Sequence, residues 1–148
     1  KQILGVYDKD LVKSFAAVAK NLSMEHVLIV HGLDGLDEIT ITNKTYVAEL
    51  KDNSINEYEI SPKDFGLNFG QLSEIIAQSS DDSLQLIRAA FSGEKSAVQA
   101  MIALNSGAAL YLAKVVHSIA DGVELSFELM NNGMAADKLA SYVRVSNS

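Results

Sequence analysis

The sequence contains no cysteine. Disulfides, thiolate metal sites and cysteine nucleophiles are excluded, and a cytoplasmic setting is expected. No apolar run approaches the roughly 20 residues that a membrane-spanning helix needs. No basic stretch followed by an apolar one opens the chain, so no signal peptide is expected. Basic residues are the minority: 12 Lys and Arg stand against 19 Asp and Glu, for a net charge of −7. Nucleic-acid binding rests on Lys and Arg neutralising phosphates, so no nucleic-acid partner is expected, and no anionic membrane surface either. No glycine-rich phosphate-cradling loop is found. The three histidines, His26, His31 and His117, lack the close helical spacing of a zinc site.

What remains is a 148-residue chain, 48% hydrophobic, with material for one domain and a core. It opens on a short apolar run, Ile3 to Val6, closed by Tyr7-Asp8. Asp8 can cap a helix, and Leu11, Phe15, Val18 and Leu22 recur at helical spacing, which predicts a helix over Lys9–Asn21. A buried strand follows over His26–Val30. Strand, helix and strand in that order predict a parallel βαβ unit.

Residues 39–60 change character. Ile39–Thr42, Thr45–Leu50 and Ile55–Ile60 are short segments rich in β-branched or aromatic residues. Asn43-Lys44 and Asp52-Asn53-Ser54 separate them with turn chemistry. They predict an antiparallel meander with one solvated side. Beyond a turn at Pro62, the only proline, the pattern is helical. Helices are expected over Gln71–Gln78, after a cap at Asp81-Asp82-Ser83, from Ala97 to about Val116, from a capping box at Ser118 to about Asn131, and from Ala135 to Val143. The fold class expected is α/β: part of a central mixed sheet, a parallel βαβ unit plus an antiparallel meander, packed by C-terminal helices. With no internal repeat or linker, residues 1–148 are expected to form a single unit. The longest helix carries Asn105-Ser106-Gly107-Ala108-Ala109. Small residues in a row suit tight helix packing, and equally a docking groove for another segment; packing is the commoner use.

The stretch that could carry chemistry is His31-Gly32-Leu33-Asp34-Gly35-Leu36-Asp37-Glu38, placed where the buried strand runs out. In open α/β sheets ligands bind in the crevice beyond strand ends. Adjacent carboxylates in an irregular loop, such as Asp37 and Glu38, can converge on a hard cation such as Mg²⁺, which keeps several waters and takes one or two carboxylates plus substrate phosphates. Carboxylates around Gly32 and Gly35 would repel a phosphate unless a cation intervened. A solvated turn with ordinary Asp and Gly accounts for the same spacing, and spacing alone favours it. His31 at a strand end could bind phosphate or move a proton; a histidine bonded to a carbonyl or carboxylate is the commoner case. His26 and His117 read as surface or boundary residues.

Val27-Leu28-Ile29-Val30-His31-Gly32-Leu33-Asp34-Gly35-Leu36-Asp37-Glu38 resembles the acidic motif of the anthranilate phosphoribosyltransferases of tryptophan biosynthesis. The resemblance extends along the chain. Ile3-Leu4-Gly5-Val6-Tyr7, Val47-Ala48-Glu49-Leu50-Lys51-Asp52 and Pro62-Lys63-Asp64-Phe65-Gly66-Leu67 are similar to family segments. So are Leu104-Asn105-Ser106-Gly107-Ala108-Ala109-Leu110-Tyr111 and the C-terminal stretch around Lys138-Leu139. It implies a glycosyltransferase that moves phosphoribose from phosphoribosyl pyrophosphate to anthranilate with Mg²⁺, in which Asp37 and Glu38 hold the metal. The family's GTGGD motif, its anthranilate-binding residues and its dimer-forming N-terminal helices are not in the sequence. The resemblance therefore implies the C-terminal portion of an α/β phosphoribosyltransferase domain, inactive alone, whose complete form is a homodimer. A non-catalytic binding or scaffold module is the alternative from another class. A fragment of a pyrimidine nucleoside phosphorylase is the alternative enzyme, against which the Asp-Gly-Leu-Asp-Glu stretch weighs.

Overall fold

The computed structural model describes residues 1–148. Strands β1 (Gln2–Gly5), β2 (His26–Gly32), β3 (Thr45–Lys51) and β4 (Ser54–Ile60) form one sheet in the order β1-β2-β3-β4. β1 and β2 are parallel and joined by helix α1 (Lys9–Asn21); the other two pairings are antiparallel. The expected mixed sheet is therefore present, and α1 has the bounds its periodicity gives. Asp8 caps it by accepting from the Asp10 amide at 3.0 Å.

β2 is buried on both faces along its whole length. Its side chains alternate between two cores, which is why it reads as a continuous apolar run. Val27 and Ile29 join Ala48 and Leu50 of the neighbouring strand against Val12, Ala16 and Ala19 of α1. Leu28 and Val30, with Val47, meet helices on the opposite face: α3 (Ala97–Leu112) through Ala103, Leu104 and Ala108, and α4 (Ile119–Asn131) through Val123 and Met130. Helices α2 (Ser80–Phe91) and α5 (Met134–Ser146) complete the helical layer.

The hairpin between β3 and β4 turns at Asp52 and Asn53, with φ of 50° and 60°. Both residue types tolerate the left-handed region that a two-residue hairpin requires. Where α3 crosses α4 the two backbones touch. A Cβ on Gly122 would lie 2.4 Å from the carbonyl oxygen of Gly107, so the small residues of α3 serve close packing.

Five expectations are corrected. Ile39–Thr42 is not a strand; its apolar side chains are buried, but its backbone bonds go to side chains and, at Ile41 O, to the Gly70 amide rather than to a neighbouring strand. The helix expected over Gln71–Gln78 is a single 3₁₀ turn, Leu72–Glu74. Leu72 and Ile76 remain exposed there, and without a buried face a short segment does not recover the cost of helix nucleation. α2 starts earlier, because Ser79 rather than the acidic pair accepts from the Asp82 amide. α3 stops at Leu112, short of Val116, as Lys114 turns left-handed at φ 63°. At the far end α5 continues to Ser146, beyond Val143.

Candidate functional site

The loop from Leu33 to Lys44 leaves β2 at the end where the parallel pair β1–β2 also finishes. Its neck is closed by main-chain bonds: Gly32 N–H to Leu36 O at 2.8 Å, Gly35 N–H to Gly32 O at 2.8 Å, and Leu33 N–H to Lys44 O at 2.9 Å. Gly35 takes φ 96° at the tip, a conformation that L side chains rarely adopt.

The three carboxylates of the loop divide by role. Asp34 turns inward. One oxygen accepts from the Leu36 amide at 3.2 Å; the other accepts from the Thr40 hydroxyl at 2.6 Å and from the Thr42 hydroxyl. Burial opposes its ionisation, but these bonds outweigh burial and hold its carboxyl below the usual aspartate range. Asp34 is thus committed to the loop's shape. Asp37 and Glu38 are exposed, and no hydrogen bond or ion pair within the chain uses either carboxylate. Partial desolvation of its carboxyl raises Glu38 above the usual glutamate range, and the adjacent Asp37 charge adds to the effect.

Glu38 lines an open cleft of about 350 Å³ together with Ile75, Val98, Met101, Ile102, Asn105 and Ser106. The cleft lies between the loop and the first half of α3. No group of three His, Cys, Asp or Glu side chains comes together that could enclose a metal. Two unpaired carboxylates at a strand end match a different chemistry: a hydrated hard cation that draws its remaining oxygens from water and from a phosphorylated ligand. Asp37 and Glu38 are therefore the carboxylates of the loop that are free to meet such a cation.

His31 and His26 are both structural. His31 donates from Nδ1 to the Val6 carbonyl at 2.9 Å, tying β2 to the end of β1. His26, read from sequence as a surface or boundary residue, is only 3% exposed. A carboxylate can only accept, so His26 donates from Nε2 to Glu49 at 2.7 Å. Tyr111 and Tyr58 donate to the same carboxylate at 2.8 and 2.9 Å. This cluster lies at the opposite end of β2 from the acidic loop. His117 is exposed, as expected.

Sequence reasoning missed Thr40, Thr42 and Asn105 as parts of the site. Asn105 carries a signal in retrospect: an amide among small apolar residues in mid-helix needs a partner outside the helix ladder.

Residues 1–136 match the family model described as glycosyl transferase family, a/b domain. The chain is 45% identical over 145 residues to the anthranilate phosphoribosyltransferase of Vesicomyosocius okutanii, covering 98% of this chain and 43% of that protein. Against the enzyme of the same name from Halorhodospira halophila it is 45% identical over 143 residues, covering 97% and 42%. The crystal structure of anthranilate phosphoribosyltransferase from Thermus thermophilus superposes with a TM-score of 0.87 at 27% identity, covering 97% of this chain and 42% of that one. The chain thus spans less than half the length of these relatives. None of its helices is long and apolar enough to cross a membrane.

Proposed function

The chain belongs to the glycosyl transferase family, a/b domain, and from that premise we propose that it supplies the Mg²⁺-binding acidic loop of an anthranilate phosphoribosyltransferase. The observation that carries this reading is the pair of unpaired carboxylates, Asp37 and Glu38, at the end of the β1–β2 pair. It is supported by the 45% identity to enzymes of that name. It is supported also by a yeast anthranilate phosphoribosyltransferase of the same fold, solved in complex with PRPP and Mg.

The reaction joins the anthranilate amine to C1 of phosphoribose and releases pyrophosphate. The amine is already nucleophilic, so the catalytic demand is alignment and stabilisation of the departing diphosphate. Asp37 and Glu38 would hold Mg²⁺, which when bound neutralises charge on that leaving group. The remaining residues of the loop act before any ligand arrives. Asp34, Thr40 and Thr42 hold it closed, and His31 locks the two strand ends from which it springs. Ordering of this kind is done at folding, so less is lost on binding.

Residues 1–148 form, in this reading, one unit of a larger phosphoribosyltransferase domain. The diphosphate-binding GTGGD segment and the anthranilate pocket belong to the rest of the polypeptide, and the chain alone is inactive. The complete enzyme is read as a cytoplasmic homodimer without a nucleic-acid or membrane partner. An assay of the complete protein tests the activity: anthranilate consumption that requires both phosphoribosyl pyrophosphate and Mg²⁺ is expected. Phosphorolysis of a pyrimidine nucleoside in its place would overturn the proposal.

A further inference from the structure

We infer that Asn105, in the middle of α3, is a positioning residue that sets the backbone presenting Glu38 to its cleft. The inference rests on the reading of Glu38 as a metal-holding residue.

Glu38 is followed directly by Ile39, in a segment that belongs to no helix or strand. That segment has no ladder to hold it, yet it must present a carboxylate in a defined direction. Asn105 supplies the missing partner. Its Oδ1 accepts from the Ile39 amide at 3.0 Å and its Nδ2 donates to the Ile39 carbonyl at 2.8 Å. One side chain thereby makes both bonds that a neighbouring strand would make to that residue. The second Nδ2 proton goes to the Met101 carbonyl at 3.0 Å, one turn back on α3. The three bonds agree on one orientation of the amide. Flipped, it would set its NH₂ against the Ile39 amide and its oxygen against two carbonyls.

Position strengthens the case. Asn105 and Glu38 line the same cleft, so the residue that grips the backbone and the carboxylate it presents face one space. The Ile39 side chain is 2% exposed and anchored in the core, which leaves Glu38 as the first residue beyond the grip. Next along the chain, the Thr40 amide is held by Thr45 Oγ1 at 3.0 Å. The backbone is thus pinned on one side of Glu38 by two side-chain contacts. Residues that orient a metal ligand through hydrogen bonds typically change metal affinity about 10–100-fold when removed.

The test uses the complete protein and reads metal binding directly, by the electron paramagnetic resonance of Mn²⁺ titrated in the presence of inorganic pyrophosphate. Asn105→Ala and Asn105→Gln, which keeps an uncharged amide but shifts it by one methylene, are compared with Glu38→Ala. Gln99→Ala serves as a matched control, since Gln99 is a buried amide of the same helix bonded to Ala90 and Asn131. The expected result is Mn²⁺ affinity weakened at least about tenfold in both Asn105 variants. Gln99→Ala is expected to lower the melting temperature comparably while leaving Mn²⁺ affinity unchanged. The inference is overturned by itself if Glu38→Ala loses affinity and the Asn105 variants do not, or if Gln99→Ala loses as much as they do. Unchanged affinity in Glu38→Ala overturns the metal reading, and this inference with it. Should Asn105→Ala fail to fold, Asn105→Gln keeps an uncharged amide on α3 and carries the comparison.

Discussion

Gly5 lies flat against the main-chain carbonyl of Asp37: a Cβ added to Gly5 would sit 1.5 Å from that oxygen. The last residue of β1 is therefore the surface on which the acidic loop rests. Only a residue without a side chain allows that approach. Gly5→Ala must displace Asp37, because the clash is with backbone and no rotamer change relieves it. In the complete enzyme, about tenfold more Mg²⁺ is expected for half-maximal activity, in line with other disturbances of ligand-orienting contacts. A titration of activity against Mg²⁺ checks this, and an unchanged midpoint would show that the loop adapts.

Asp37→Ala and Glu38→Ala each remove one of the two unpaired carboxylates. Turnover is expected to fall, and Mg²⁺-dependent binding of phosphoribosyl pyrophosphate to weaken. Kinetics unchanged at limiting Mg²⁺ would reject the metal role.

Glu38→Gln separates function from stability. The Glu38 carboxyl is raised on folding by partial desolvation and by Asp37. A raised carboxyl penalises the folded state once ionised, and the penalty is absent below its unfolded value. The melting temperature of the metal-free variant is therefore expected to exceed that of the parent at neutral pH. The gain should vanish below about pH 4, where the glutamate is protonated in both states. A melting temperature lowered at pH 7 would contradict this assignment.

Glu49 carries the opposite sign. Burial works against its ionisation, but bonds from His26, Tyr111 and Tyr58 prevail and hold the carboxyl below the usual range. Its contribution is complete above the unfolded glutamate value of about 4.3 and is lost as the pH falls through the lower folded one. Glu49→Ala leaves a histidine and two tyrosines without their acceptor, and should cost about 2–4 kcal/mol at pH 7. Denaturant melts across acid pH check both points: the gap between parent and variant should narrow as the parent acidifies.

Gly122→Ala tests the contact between α3 and α4. The added methyl would meet the main-chain oxygen of Gly107 at 2.4 Å, which no rotamer change relieves. Overpacking of this kind costs about 1–3 kcal/mol, and chemical denaturation should show it.

Much of this arrangement is legible in local pattern, because local physics decides it. Helix α1 follows from its 3.6-residue period and its Asp8 cap. β2 follows from an apolar run whose burial on two faces leaves no alternation to see. The Asp52-Asn53 turn follows from residue types that accept positive φ. The acidic loop, too, was visible as carboxylates and glycines at a strand end, and the family resemblance gave Asp37 and Glu38 their expected role. Local pattern was silent where a residue's partner comes from elsewhere in the chain. Ile39–Thr42 has strand composition but no neighbour on a ladder; Asn105, 66 residues on, supplies the bonds instead. His26 looked like a boundary residue because its acceptor, Glu49, lies on the next strand. The sequence by itself determined which carboxylates stand at the end of the buried strand. Tertiary structure alone decided which of them is committed to the fold: Asp34 meets the Thr40 and Thr42 hydroxyls only once the loop has closed, and Asp37 and Glu38 are left over because the closed loop offers them no donor.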